Sequence, residues 1–378
     1  MPTDGTNPAP VDHVAEHTGH LELPESDITY SLIDTFLRTI NRIHPLYDER
    51  MLLETANLWY RIPARRTKLA WATINVVMAL AQCCVQRTDK LPQAFAEDCI
   101  RNAQSVLTEL IMGELRLENL QVVLGLVLSF TQMPDMRPSS VLISTAFRLI
   151  HEMGIHRREG YDGVSEAEAQ QRNRVFWVAY ILDRDISMRT RQPPVHQDAE
   201  TDLDFPIGTP SLEKAALMEE ISGDGSFSVF RSRVYLAQIQ GQVHDALFSV
   251  QARYRSPDES SGDIARLRIL LLHWRMQIPS NLIDLSAHAL VSFDTIIMAK
   301  HLCMLYATNL ALLGQLARVN AMDFEWINRL LGHVRNLRAG VPSIPPAMPE
   351  GWDALVDESR TFATLFLGIP EKGVAFGR

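Results

Sequence analysis

The chain has 378 residues, 46% of them apolar, with a mean hydropathy of −0.04 and a net charge of −9. This length and apolar content suit a large buried core and exclude a chain that is disordered throughout. The acidic balance opposes non-specific attraction to a polyanion, so direct nucleic-acid binding is not expected.

Residues 1–27 read as a disordered acidic tail, because the first thirty residues carry six acidic side chains, no Lys or Arg, and too few apolar groups to fold alone. His13, His17 and His20 have helical spacing, but a tail cannot fix the geometry a metal requires. The folded body is expected over 28–378. It opens with a helical stripe of Leu32, Ile33, Phe36, Leu37 and Ile40 that ends at His44 and Pro45. Further helices are predicted at 66–86, 92–113, 117–131, 139–153, 165–190, 211–221, 226–253, 262–277, 288–315, 322–339 and 352–367. Loops are predicted at 133–138, 256–262 and 341–351. No segment alternates in the manner of a strand and no repeat is visible, so the fold class is all-α, a compact array of packed helices.

The four cysteines, Cys83, Cys84, Cys99 and Cys303, show no paired metal-ligand spacing. They read as reduced thiols of an intracellular protein, nuclear or cytoplasmic, and no structural zinc is expected. The most apolar run, 69–85, is interrupted by Thr73, Asn75 and Gln82, so no membrane segment is expected.

The most informative stretch is 141–206. Leu142, Ala146, Leu149, Ile150 and Met153 form one apolar helix face, and Gly154 stands where a helix C-terminus favours positive φ. Ser165 and Glu168 have the spacing of a capping box and start a second helix. Val175, Phe176, Val178, Ala179 and Leu182 give that helix a broad apolar face, and Pro193 and Pro194 prevent it from running on. Arg174, Asp183, Arg184 and Asp185 are spaced to pair with one another or with neighbouring helices.

The succession AFRLIHEMGIHR, acidic loop, RNRVFWVAYILDRDIS, RQPP and DLDFP resembles the middle homology region of fungal zinc-cluster transcription factors. Members of that family bind DNA through six cysteines holding two zinc ions, followed by a basic linker. Four scattered cysteines cannot supply that cluster, and the tail is acidic. The resemblance thus implies a regulator-like protein without its own DNA-binding domain, binding a small molecule or a partner protein in a metabolic pathway. A scaffolding role on the same helical body is a further option. One departure stands within the segment, where Arg191, Gln192 and Pro193 replace the family's Gly-Arg-Pro turn.

An enzyme built on this scaffold is the alternative expectation. In the segment SFDTIIMAKHLCMLYATNLALL, Ile296, Ile297, Met304 and Ala307 form an apolar stripe that Lys300 interrupts. Its ammonium either snorkels to water or meets an anion in a cavity. Asp183 and Asp185 could offer carboxylates to magnesium, although two residues apart on a helix they do not share a face. This set is similar to the non-canonical fungal humulene synthases, and the resemblance implies a magnesium-dependent terpene cyclase acting on a prenyl diphosphate. Lys300 would contact the diphosphate, Asp183 and Asp185 would hold the metal, and Phe176, Trp177, Tyr180, Met304 and Tyr306 would line the pocket. The aspartate-rich motif of ordinary terpene cyclases is absent, and no nucleotide-binding, serine-hydrolase or zinc-protease motif is present.

Overall fold

The structure, a computed structural model, describes residues 21–82, 94–131, 133, 135–190, 192–206 and 228–276. Among these residues every regular element is helical, joined by short 3-10 turns and one π-type turn at His244–Phe248. The expected helices at 211–221, 288–315, 322–339 and 352–367, and the expected loop at 341–351, lie outside the described residues.

The chain enters the body earlier than its composition indicates. Leu21 and Leu23 pack against the core, the indole of Trp71 donates to the carbonyl of Glu22, and the Tyr60 hydroxyl donates to that of Pro24. Residues 21–27 are therefore part of the body and not of the tail. Helix α1 (Ser26–Arg38) buries Leu32, Ile33 and Phe36, breaks at Thr39, and is followed by the short α2 (Ile40–Ile43).

Helix α3 (Glu49–Arg61) falls where no helix was expected. Asp48 caps it by accepting from the amide of Met51 at 3.1 Å, and Leu52, Ala56 and Trp59 form its buried face. Helix α4 (Lys68–Gln82) is buried on all sides from Trp71 to Ala81. One polar interruption of its apolar run is used inside the body: Asn75 accepts from Asn102 at 3.0 Å and donates to the Trp71 carbonyl at 2.9 Å.

The helix expected over 92–113 is two helices, α5 (Phe95–Ser105) and α6 (Leu107–Met112), divided at Val106 with no glycine or proline to mark the break. Helix α7 (Leu117–Phe130) is buried from Asn119 onward and lies against α4. Helix α8 (Arg137–Met153) starts inside the expected loop, with Pro138 in its first turn, and ends at Gly154, whose φ of 69° is the left-handed value the sequence implied. The turn beyond is tight, since a Cβ on Gly160 would lie 2.3 Å from the Gly154 carbonyl oxygen.

Helix α9 (Glu166–Thr190) is the longest described element. Ser165 caps it as expected, accepting from the amide of Glu168 at 3.2 Å, but the Glu168 carboxylate turns to Arg172 instead of completing the box. Residues 192–206 then fold back as an extended strap. Helix α10 (Val229–Val243) packs on α9, and α11 (Pro257–Met276) packs on α10. The helix expected over 226–253 therefore ends at Val243. The expected loop at 256–262 is instead the start of α11, because Ser256 and Glu259 cap each other reciprocally around Pro257.

Candidate functional site

Helix α9 is buried without interruption from Val175 to Met188. A helix enclosed on every side needs a partner for each face. Helices α7, α8 and α10 supply three of these, and the strap covers the side that carries Tyr180, Asp183, Arg184 and Ser187. Those four positions recur at helical intervals, so one stripe of side chains can grip one extended segment.

The grip is dense. Asp183 accepts from the strap amides of Val195 at 2.9 Å and His196 at 3.1 Å, and from Arg184 at 2.8 Å. Arg184 also donates to the His196 carbonyl at 2.8 Å and to Asp198 at 2.6 Å, with its guanidinium 4.5 Å above the Tyr180 ring. The Tyr180 hydroxyl donates to the same Asp198 oxygen at 2.7 Å, and Ser187 donates to the carbonyl of Gln192 at 2.6 Å. Asp183 and Arg184 are both buried, whereas the Asp198 side chain keeps 51% of its exposure.

Burial pushes the Asp183 carboxyl above the usual carboxylate range, while Arg184 and the two strap amides pull it back. All three groups that reach Asp183 are donors, which fits the ionised form. Burial also works against the Arg184 charge, but Tyr180, Asp183 and Asp198 together hold it above the ordinary guanidinium value.

Asp185 looks the other way, as spacing by two on a helix requires. It accepts from Arg233 of α10 at 2.5 Å and from Gln240 at 3.1 Å, and Arg233 in turn meets His44 at 3.0 Å. Burial lowers Arg233, and Asp185 opposes that shift. The expected pairing of the helix charges is thus found for Asp183, Arg184 and Asp185, while Arg174 donates to Gln171 at 3.4 Å and feels the charge of Asp48. Gly241 lets α10 approach closely, for a Cβ there would stand 3.0 Å from Nε of Arg184.

Three histidines close the outer end of the strap. His196 stacks on Phe147 with ring centroids 5.1 Å apart, and its Nδ1 lies 3.4 Å from Nε2 of His151. The rings of His151 and His156 are 4.7 Å apart. Burial, then the positive charge of Arg184, pushes His196 down to about 3. Beyond it, Arg157 and Arg158 clasp Glu200 and Asp204 at the surface, where ion pairs contribute little.

Of the residues singled out from the sequence, Phe176, Trp177, Tyr180, Asp183 and Asp185 are brought together on α9. Phe176, Trp177 and Tyr180 are buried with mutual ring contacts, and Trp177 stacks on Phe205 of the strap at 5.6 Å. The aromatic side chains thus seal the strap to the core. Lys300, Met304 and Tyr306 lie outside the described residues. The carboxylates considered for magnesium serve different partners, Asp183 the strap and Asp185 helix α10. Among the described residues no group of three or more His, Cys, Asp or Glu side chains is placed to hold a metal ion. No described helix is long and apolar enough to cross a membrane.

The sequence reading missed His196, Asp198, Arg233 and Gln240. Arg233 and Gln240 carried a signal, since they share a helix face with the buried Phe230 and Ala237, the same pattern that drew attention to Lys300.

Comparison with known proteins accords with this architecture. The fungal specific transcription factor domain matches residues 33–284. ABC-transporter-regulating transcription factors of Aspergillus oryzae and Aspergillus fumigatus are each 30% identical over 311 residues, 82% of this chain and 34% of theirs. The Fusaridione A cluster transcription factor of Fusarium heterosporum is 28% identical over 264 residues, 69% of this chain and 49% of that protein. The chain thus spans between a third and a half of the length of these relatives. No solved structure matches it. With the family match covering most of the body that holds the α9 clasp, the chain belongs to the fungal specific transcription factor domain family.

Proposed function

We propose that this chain is the regulatory module of a fungal transcription-control system, acting on genes of transport or secondary metabolism by binding a small molecule or another protein. The observation that carries the reading is the α9 clasp. Asp183, Arg184 and Asp185 of the most diagnostic segment are consumed in fixing the strap and α10, which is the arrangement of a scaffold and not of an open catalytic centre. The names of the relatives, two ABC-transporter-regulating factors and a Fusaridione A cluster factor, support this class of target genes. The net charge of −9 supports placing DNA contact on residues or polypeptides other than this acidic body, and relatives that are transcription factors support the nucleus or cytoplasm as its place of action. Terpene cyclisation is not proposed, because Asp183 and Asp185 are each engaged by guanidinium and amide donors of the chain itself.

The test is a tethering assay. The chain is fused to a heterologous DNA-binding domain in a fungal host and transcription from a matching reporter is measured. Transcription should move away from the level set by the bare DNA-binding domain. A fusion present at the same abundance that leaves the reporter at that level would sink the proposal.

A further inference from the structure

Helix α3 is apolar twice over. Its core face is Leu52, Ala56 and Trp59, but Met51, Leu58 and Ile62 form a second stripe that faces solvent with 54%, 37% and 44% of their surface exposed. The stripe runs for about 17 Å at 1.5 Å per residue. A second apolar face on a helix that is already anchored marks a surface waiting for a partner.

The charges around the stripe indicate which partner. Arg61 and Arg65 stand exposed beside Ile62 and have no acidic partner among the described residues, while Lys68 on the first turn of α4 is paired with Glu109. An acidic segment with spaced apolar side chains would satisfy both features. Residues 1–20 have that chemistry: Asp4, Asp12 and Glu16 with no Lys or Arg, and Val11, Val14 and Ala15 at three- and four-residue intervals. They are also attached at the right place. Glu22 and Pro24 are held by Trp71 and Tyr60, at the same end of α3 and α4 that carries Arg61, Ile62 and Arg65.

We propose that the α3 surface formed by Met51, Leu58 and Ile62, with Arg61 and Arg65 at its end, is the docking site for residues 1–20 of this chain, centred on Val11 to Glu16. From Leu21, Glu16 is five and Val11 ten residue steps away, which reach about 17 to 35 Å when extended, enough to cover the stripe. The tether also raises the local concentration of the segment to roughly the millimolar range, so a weak contact suffices.

A photo-crosslinking amino acid placed at Leu58 of the full chain tests this, with the products mapped by mass spectrometry. Intramolecular crosslinks to the stretch from Val11 to Glu16 are expected. They should fall at least about threefold in the double variant Arg61→Glu, Arg65→Glu, or on raising the salt, because exposed charge pairs are screened. A synthetic peptide of residues 1–20 should bind the chain lacking those residues and bind the double variant at least about threefold more weakly, the loss a few tenths of a kcal/mol per pair would give. Both arginines are exposed, so an unchanged thermal midpoint will show that the variant is folded. Crosslinks only to a second copy, crosslinks only to other segments, or equal peptide binding by both forms would each overturn the proposal.

Discussion

Removing the carboxylate of Asp183 should cost far more stability than removing that of Asp198, although both contact Arg184. Asp183→Ala strips one acceptor from a buried guanidinium and leaves the amides of Val195 and His196 without their partner. Breaking a buried ion pair from one side costs about 3–5 kcal/mol, and each orphaned amide adds to that loss. Asp198 is half exposed, water replaces it readily, and Asp198→Ala should cost about 1 kcal/mol. Against a total stability of roughly 5–15 kcal/mol, the first loss is a large fraction and the second a small one. The assay is urea unfolding at constant slope, with limited proteolysis to report where the chain opens. The strap at 192–206 should become the first cleavage site in Asp183→Ala. The double variant Asp183→Ala, Arg184→Met should recover part of the loss, since no uncompensated charge remains. If Asp183→Ala costs no more than Asp198→Ala and the strap stays protected, the clasp is not what fastens the strap.

Two further outcomes follow from the same geometry. His196 is held neutral, down to about 3 against an ordinary value of 6.5, by burial and by Arg184 and His151, with Asp198 opposing. The unfolded chain therefore binds the extra proton between those values. This group's contribution to stability is present above pH 6.5 and falls with acidification by up to about 1.4 kcal/mol per pH unit, the value for one proton. His151 and His156, lowered first by burial, act in the same direction, amid Arg148, Arg157 and Glu200. Urea midpoints measured from neutral to mildly acidic pH should show this slope in the native chain and a shallower one in His196→Gln. Gly241→Ala should destabilise by about 1–2 kcal/mol in thermal unfolding, despite the better helix propensity of alanine, because the new Cβ meets an Arg184 that Asp183, Asp198 and the His196 carbonyl hold in place. A stabilised Gly241→Ala chain would show that Arg184 is free to yield.

Local chemistry made part of this structure legible. The stop at Gly154, the start at Ser165 and the apolar face of α9 depend on neighbours within four residues, and the sequence displays those directly. Helix α3 was hidden because its two apolar faces blur a single periodicity, and the start of α11 because Ser256, Pro257 and Glu259 resemble loop chemistry until their mutual caps are seen. The clasp was half visible. Sequence placed Asp183, Arg184 and Asp185 on an amphipathic helix, and their divergence followed from a spacing of two. Their partners, the strap amides and Arg233, come from backbone that carries no side-chain signature and from a residue 48 positions away. The fungal transcription factor domain was read from the order of five short elements, and the family match bears that out.

Transcription from the tethered reporter remains the most direct measurement of the central claim, and it is sharpest when the native chain is run beside Asp183→Ala and the exposed control Asp198→Ala at matched protein levels. The regulatory reading expects the native and control fusions to shift the reporter and Asp183→Ala, with its strap released, to lose most of that shift. A native fusion indistinguishable from the bare DNA-binding domain would contradict it.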